Sequence, residues 1–416
     1  MKSKLLRMIL PVFFLFPCLS FAQSESAALF LLIQPSTQAT AMGGVSVASV
    51  SDDPVAMAFN PAHLGMLPGK PLFSVEVYPG TTDWLPSLAS NISYDAKSFA
   101  FGFPFKSDGE PARYSVGFGY TRINLDLDEQ VITGEDSPEP LGTFSSFERA
   151  NVFTVAVGLD YFFKAAVGYS FKSIESNLGG IGAGSEFGAA KAKPTAHDLG
   201  VMISLPVFAR FAPGFSFASG VLKPFLATTV GYSQSNIGGT VSYIDASQAD
   251  PLTRVARIGI GINAGLVKDD WQVLAFNWSR EAEDVLVRRD EFGNDIRYEK
   301  FLGDINFFDE IILGNEDGNS IQKTGWAYHF FDILSVRRGR YHDFQGKVEY
   351  ETKGTGVSLR GIFKLFSNLS PGLRDSDQFD FLLRHIDVRF QTSEWQLGVG
   401  HPLFGTKFNS IRVSLF

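Results

Sequence analysis

The chain has 416 residues, a formal net charge of −8 and a single cysteine, Cys18. This acidic balance leaves no basic surface of the kind that nucleic acid requires, which excludes nucleic acid as a partner. Forty phenylalanines and 41 glycines favour a β protein with aromatic anchors and close-packed small positions.

The first 22 residues have the pattern of a secretory signal peptide. Three basic residues precede the apolar run MILPVFFLFPCL, and Ser20 and Ala22 are the small residues before a cut after Ala22. The run is shorter than the ~20 apolar residues of a membrane helix. A lipoprotein anchor at Cys18 is the alternative, although Pro17 fits a lipobox poorly. Cleavage would leave 394 residues without cysteine and with a net charge of −11.

Residues 39–67, directly behind the signal, are small and apolar. Asp53 precedes a proline, the form of an N-cap and first helical residue, and Asn60 repeats this form seven positions later. The Gly43 and Gly44 pair suits a segment that runs close to other backbone. We therefore predict a compact segment with two short helical turns.

From about residue 70 the chain alternates between bulky and small residues. In RYSVGFGYT, residues 113–121, bulky side chains occupy one face and Gly, Ser and Thr the other, and RIGIGINAGL, residues 257–266, repeats the pattern. A soluble sandwich also alternates, but its outer face would be rich in charged residues. Here the second face is small and looks enclosed, which favours a membrane barrel with its bulky face toward lipid.

The predicted fold class is therefore all-β, a transmembrane antiparallel barrel of about 14 strands. Such a lumen is too wide for its own side chains to fill, so the N-terminal segment is predicted to plug it as a hatch. The expected divisions are a signal peptide at 1–22, a hatch at 23–69 and a barrel at 70–416. Charged stretches at residues 125–140, 176–194, 281–300 and 314–324 are predicted to be loops. The apolar stretch 201–222 is interpreted as strand, turn and strand, with a re-entrant helix as the alternative.

The chain ends in NSIRVSLF, and its terminal Phe416 resembles the recognition signal of outer-membrane barrels, although it is out of phase with the apolar residues before it. Together with the signal peptide, this feature predicts a bacterial outer-membrane location.

No pattern of catalytic or cofactor-binding residues emerges. Gly259 and Gly261 match a dinucleotide fingerprint only formally, because they lie inside an alternating strand and do not open a helix. The run GGIGAG, residues 179–184, lacks a β-α-β frame. The six histidines show no metal-ligand spacing. We expect no enzyme activity, no cofactor and no metal site.

The segment SAALFLLIQPSTQATAMGGVSVASVSDDPVAMAFNPAHLGML resembles the N-terminal signature of the PorV/PorQ family of outer-membrane proteins, which is related to the FadL-type barrels. The matching hatch residues, with a structural or gating role, are Met42, Gly43, Gly44, Asp52, Asp53, Asn60, Pro61 and Ala62, beside Phe30, Leu31, Ala41, Val47, Ala48 and Leu64. Where family members commonly carry an arginine before the Met-Gly pair, this chain has STQAT at residues 36–40.

A second resemblance to this family lies near the C-terminus. The stretches GWAYHFFDILSVRRGRY, residues 325–341, and EYETKGTGVSLRG, residues 349–361, are similar to its late strands. The residues that carry this likeness are Gly325, Asp332, Arg337, Arg338, Gly339 and Tyr341. The two resemblances directly cover under a fifth of the chain.

The resemblance implies one of two functional classes. PorV-like members serve the type IX secretion system, where they receive exported proteins and pass them to the surface-attachment machinery. FadL-like relatives pass hydrophobic small molecules through the hatch and a lateral opening. The N-terminal signature favours a secretion accessory with secreted proteins, secretion machinery and outer-membrane lipid as partners. A channel for hydrophobic small molecules is the alternative, and a barrel with a purely structural role is the third possibility.

The two functions predict different lumens. A channel predicts a continuous apolar track from an outer pocket past the hatch. Partner binding predicts an apolar groove or open rim near the long loops, with no path through the barrel.

Overall fold

A computed structural model of the chain describes residues 26–49, 51–66, 73–89, 91–106, 113–133, 139–181, 189–243, 249–269, 271–289, 295–297, 300–316, 318–369 and 377–416. The predicted signal peptide lies outside these residues. Fourteen strands form the barrel: β1 Phe73–Val77, β2 Ser93–Lys106, β3 Arg113–Thr133, β4 Pro140–Asp160, β5 Lys164–Ile181, β6 Thr195–Pro206, β7 Lys223–Gly238, β8 Val255–Lys268, β9 Trp271–Val285, β10 Ile321–Phe330, β11 Leu334–Asp343, β12 Val348–Ser358, β13 Ile386–Gln396 and β14 Lys407–Leu415.

The strands pair in chain order, each antiparallel to the next. Strand β1 closes the barrel, because Val75 pairs with Phe99 of β2 on one side and with Val413 of β14 on the other. Closure satisfies the backbone groups that an open sheet edge would expose to lipid. The predicted 14-stranded antiparallel barrel is confirmed.

The two faces of the strands differ as the alternation predicts. In β3, Tyr114 and Phe118 point outward and are exposed, whereas Ser115 and Gly117 between them are buried toward the lumen. The exposed apolar residues form a belt around the barrel, with examples on β2, β4, β6 and β13 at Phe101, Phe153, Ile203 and Phe390. Apolar residues thus lie on the outside of the barrel and small or polar residues on the inside, the reverse of a water-soluble protein. A lipid environment requires this arrangement.

Short elements connect the strands. The barrel end that holds Phe416, here named the Phe416 end, carries α3 Val207–Phe211, the 3-10 turn Ala218–Gly220, α4 Leu359–Leu369 and α5 Asp377–His385. The opposite end, the loop end, carries the short strands Thr82–Asp83, Ala189–Ala192, Thr240–Val241, Asp250–Pro251, Val287–Arg289 and Asp295–Arg297, and the π-helix Phe307–Leu313. None of the helices in the described residues is long and apolar enough to cross a membrane.

Several predicted loops prove to be largely strand. Strand β3 continues to Thr133 and β5 to Ile181, so the predicted loops at 125–140 and 176–194 were wrong over much of their length. The backbone there still forms a ladder, with a register shift between Asp126 and Glu129, because a strand beyond the lipid belt can carry polar side chains on both faces. The stretch 201–222 contains one strand followed by α3, so the expected second strand within it was also wrong.

The N-terminal residues 26–66 lie inside the lumen, as predicted for a hatch. They form the 3-10 helix Leu29–Leu32, α1 Thr37–Thr40, the 3-10 helix Pro54–Ala58 and α2 His63–Met66. Ser36 caps α1 by accepting a hydrogen bond from Ala39 N, and Asp53 caps the second 3-10 helix through Val55 N. Nearly all of these residues are buried, because the barrel wall surrounds them.

Glycines on the luminal face let the hatch backbone touch the wall. A Cβ atom added at Gly339 would lie 2.0 Å from the carbonyl carbon of Met42, and one added at Gly231 would lie 2.0 Å from the carbonyl oxygen of Val47. Gly168 has the same relation to Pro61, at 2.3 Å. The small luminal face of the alternating strands is therefore the seat of the hatch.

Candidate functional site: a lumen closed by the hatch

One carboxylate of the wall holds the centre of the hatch. The Oε2 atom of Glu281 on β9 accepts hydrogen bonds from the backbone N of Ser46, at 2.7 Å, and of Val47, at 2.8 Å. Lys323 on β10 lies 3.7 Å from the other oxygen of this carboxylate. A buried carboxylate thus satisfies two hatch amides that no secondary structure pairs.

Glu281→Gln is expected to loosen the hatch, because a charged acceptor of two amide bonds becomes a neutral one. Hydrogen bonds to charged groups contribute about 1.5–3 kcal/mol. Hydrogen–deuterium exchange at Ser46 and Val47 should rise by about tenfold for each 1.4 kcal/mol lost. Glu351→Gln, at an exposed position of β12, is the matched control, and equal exchange in both variants would contradict the assigned clamp.

A second attachment joins the hatch to the last strands. Asp52 lies 2.9 Å from Nη1 of Arg412 on β14 and 3.3 Å from Nη1 of Arg389 on β13. Arg389 also binds Asp387, at 2.7 Å. Arg337 on β11 is only 1% exposed, and its Nε and Nη1 have no hydrogen-bond partner among the described residues. Two arginines therefore hold one hatch carboxylate, and we name this group of ion pairs the Asp52 latch.

Burial alone would raise the pKa of Asp52, but Arg412 and Arg389 outweigh burial and hold this pKa well below its usual range. A carboxyl whose pKa is lowered in the folded state adds stability above its unfolded pKa of about 4, and this stability is lost only as the pH falls through the lower folded value. The latch should therefore stay closed from pH 8 to about pH 4.

Asp52→Asn is expected to release residues 51–53 equally at pH 8 and pH 5, since the amide carries no charge at either pH. Hydrogen–deuterium exchange of the peptide around residue 52, measured at both pH values and corrected for intrinsic rates, checks this. Asp83→Asn, at an exposed site, serves as control. A wild-type latch that opens between pH 8 and pH 5 would contradict the assignment.

A polar cavity of about 560 Å³ lies on the Phe416 side of the hatch. Its wall includes Asn263, Asn277 and His329 from strands β8 to β10, and its roof is formed by the hatch residues Gln38 and Asp52. Such a wall suits water and polar groups rather than an apolar solute.

The loop side of the hatch has the opposite character, because a packed apolar cluster lies there. Side chains of the hatch and the wall pack there around Phe30 and Leu31, and we name this region the aromatic chamber. Its other members include Phe59, Tyr78, Trp84, Tyr94, Tyr243, Leu252, Trp395 and Phe408. Trp84 and Trp395 meet edge to face at 5.5 Å between ring centroids, as do Tyr94 and Phe408 at 6.1 Å.

The chamber is filled by the chain itself. Residues 27–33, here named the strap, place Phe30 and Leu31 inside it with almost no exposure. Hydrogen bonds to backbone atoms of the strap hold it at both ends. Ala27 N donates to Pro251 O at 2.9 Å, and the side chain of Tyr94 donates through Oη to Ile33 O at 3.4 Å. The void within the hatch between Ser36 and Ala56 measures about 10 Å³, room for at most one water. The described residues thus leave the chamber and the polar cavity separated.

The wall beside the chamber has an incomplete backbone ladder. Strand β1 pairs only with residues 411–415 of β14, so residues 407–410 pair with β13 alone among the described strands. On the facing side, Thr82 and Asp83 pair with β2 and not with β14. The side chains of Trp84, Trp395 and Phe408 close this seam from within.

The structure brings together part of the predicted site residues. Met42 lies against Gly325 and Gly339, Gly43 and Gly44 adopt positive φ, and Asn60 donates to Val47 O at 2.8 Å. The others are scattered. Asp332 lies in the β10–β11 turn, and Arg338 points outward. The rings of Tyr341 and Tyr350 stack with their centroids 4.8 Å apart, and the guanidinium of Arg360 lies 4.2 Å from the ring centroid of Phe416. Within the described residues no group of histidines and acidic side chains could hold a metal.

Sequence reasoning missed Glu281, Arg389, Arg412 and the chamber tyrosines Tyr78 and Tyr94. One signal was available, because Arg412 stands at a lumen-facing position of an alternating strand, between Ser410 and Ser414. A charge at such a position needs a partner inside the barrel.

No family model and no curated protein matches the chain, so its resemblance to the PorV/PorQ family stays a prediction. Solved structures that it is similar to include the toluene transporter TodX of Pseudomonas putida, with 12% identity over 91% of this chain and 96% of that chain at a TM-score of 0.37. The monoaromatic hydrocarbon channel CymD matches at 11% identity, 92% and 97% coverage and a TM-score of 0.36. At these TM-scores the similarities carry no argument on function, which has to come from the residues themselves.

Proposed function

We propose that the chain is an outer-membrane channel for hydrophobic small molecules and that its hatch holds it closed. The observation that carries this proposal is the aromatic chamber, an apolar cluster inside the lumen in which Phe30 and Leu31 of the tethered strap pack against the wall. The outward apolar belt and the closed strand ladder support a place in the outer membrane.

The chemistry of the chamber fits a small apolar or aromatic solute. Two tyrosine hydroxyls of its wall are engaged with hatch carbonyls, since Tyr94 donates to Ile33 O at 3.4 Å and Tyr78 to Pro35 O at 2.5 Å. What remains is mostly ring surface, with the guanidinium of Arg257 at 4.4 Å from the centroid of the Phe59 ring. Burial of a Phe or Leu side chain stabilises by about 1.5–3 kcal/mol, and a solute of similar size would gain a similar amount. A solute could therefore replace part of the apolar contacts that the strap makes.

The proposed route needs two movements. The seam beside β14 is where a solute could enter the chamber sideways from lipid, since β1 does not pair with residues 407–410 and the backbone bond from Ser87 N to Pro402 O, at 3.4 Å, joins the two sides only at the loop end. Passage onward to the polar cavity requires the hatch to leave its seat, because nearly all of the described hatch residues are buried between the two regions. The closed lumen thus represents the resting state of the channel.

Phe30→Ala is expected to create a vacancy that binds a benzene-sized solute, since apolar cavities lined by such residues stay dry and accept such ligands. The truncation should also weaken strap anchoring by about 3–5 kcal/mol. Binding of toluene to the purified barrel, measured by isothermal titration calorimetry, checks this. Leu29→Ala, on a strap neighbour that is 47% exposed, is the control. No gain of binding in Phe30→Ala over Leu29→Ala would contradict the chamber assignment.

A secretion accessory is the second candidate function. The closed lumen favours it, because partner binding requires no path through the barrel. The secreted proteome of a deletion strain, compared with its parent, separates the two candidates. Loss of proteins with a shared C-terminal secretion domain from the surface would support the accessory role, and an unchanged proteome would leave the channel.

A further inference from the structure

Helices α4 and α5 at the Phe416 end expose apolar side chains on their outer side, the reverse of helices in water-soluble proteins. In α4, Arg360 and Lys364 line the polar cavity, while Phe363, Leu365 and Phe366 point away from it and are exposed. A helix that covers a water-soluble domain buries its apolar side and exposes its charges. Here the apolar side is the one left uncovered by protein, with Phe366 53% exposed.

The second helix continues this surface. Phe381 of α5 is 57% exposed and Leu382 is exposed beside it, while Arg384 and Asp380 pair with each other at 2.8 Å. The two helices pack together through Phe363 and Phe379, whose rings meet at 5.8 Å. Their exposed side chains therefore belong to one apolar surface rather than to two isolated turns.

Both helices are fixed to the rim of the barrel. A Cβ atom at Gly361 would lie 2.3 Å from the carbonyl oxygen of Asp332 in the β10–β11 turn. Arg360 donates to Leu383 O at 2.7 Å, and Phe416 N donates to His385 O at 3.0 Å. These contacts hold α4 and α5 where the exposed outward residues of the neighbouring strands, such as Leu334 and Leu415, end.

The same rim carries exposed aromatic residues elsewhere around the barrel. The β4–β5 turn and the α3 region contribute Tyr161, Phe162, Phe163, Phe211, Phe215 and Phe217. Aromatic girdles of this kind mark the level of the membrane–water interface in transmembrane barrels. The apolar surface of α4 and α5 lies at the same end of the barrel as these aromatic residues.

We infer that α4 and α5 lie in the lipid interface at the Phe416 end, with their apolar surface against phospholipid and the charges of α4 toward the polar cavity. An amphipathic helix pair in the membrane plane would then frame the cavity mouth and fix it at the headgroup level. This inference rests on the transmembrane placement of the barrel but not on what the channel carries.

Spin labels test the placement. The only cysteine, Cys18, is replaced by serine, and Phe366→Cys is labelled with a nitroxide in phospholipid vesicles. Phe153→Cys in the middle of the belt and Phe344→Cys in a loop-end turn, 52% and 54% exposed, are the lipid and water controls. All three positions are exposed, and the gel shift between unheated and boiled samples verifies folding.

We expect the Phe366 label to be more accessible to oxygen than to a water-soluble nickel chelate, as at Phe153 and in contrast to Phe344. Nickel accessibility equal to that at Phe344 would place the helix in water and overturn the inference. A label shielded from both reagents would indicate a protein partner and overturn it as well. If Phe153 itself were accessible to nickel, the transmembrane placement and with it the proposed function would fail.

Discussion

Replacing Gly339 by valine is expected to force the hatch out of its place in the lumen, while the strands of the barrel wall stay paired. The added Cβ would lie 2.0 Å from the carbonyl carbon of Met42 and 2.1 Å from Gly43 N. Met42 is also close to Gly325 on the neighbouring strand, where an added Cβ would lie 2.2 Å from Met42 O. The hatch backbone therefore cannot shift sideways to make room. Valine suits a strand, so the ladder of β11 should persist.

The expected cost of this overpacking is about 1–3 kcal/mol, which corresponds to about a 5- to 150-fold shift toward the released hatch. Conductance across planar bilayers measures that shift, because a released hatch opens the lumen to ions. Gly142→Val is the matched control, since a Cβ at that strand position meets nothing within 4 Å. If Gly339→Val gives no conductance and still shows the normal gel shift between unheated and boiled samples, the barrel is folded and the hatch accommodates the added side chain, which would contradict the expectation.

Deletion of residues 26–66 is expected to turn the closed barrel into a steady open pore. The luminal face carries mostly Gly, Ser and Ala where the hatch lies, and such side chains cannot fill a lumen of 14 strands. Ion pairs within the wall, such as Arg257 with Glu283 and Lys172 with Asp198, remain to stabilise the strands.

Two readouts check the deletion. Planar bilayers should show a constant conductance in place of the brief openings of Gly339→Val, and cells that carry the deleted form should admit the hydrophilic compound nitrocefin. A folded barrel without residues 26–66 that still excludes ions would mean that other parts of the chain close the lumen, contrary to the role given to the hatch.

Much of the fold could be predicted from local patterns. The alternation in residues 113–121 and 257–266 is a property of each strand alone, so the barrel, its outward bulky face and its strand number followed without knowledge of pairing. The hatch turns could also be predicted, since Asp53 caps its helix through Val55 N only two residues away.

The candidate site depends on partners that are far apart in the chain. Asp52 meets Arg412 and Ser46 meets Glu281 only after the barrel closes, and no local pattern identifies such pairs. The extent of the strands was underestimated because charge was taken to end a strand, whereas β3 carries Asp126 and Glu129 beyond the belt and still pairs with β4. Helices α4 and α5 were missed because their apolar residues fit a search for strands equally well.

Entry of N-phenyl-1-naphthylamine into living cells tests the central claim most directly, since an intact outer membrane excludes this fluorophore and the dye brightens once it reaches lipid within. Cells that carry the chain should take it up severalfold faster than cells with an empty vector, while nitrocefin entry stays at the vector level. Equal dye entry in the two cell types, with the folded barrel present in the outer membrane, would contradict the account of a channel for hydrophobic small molecules.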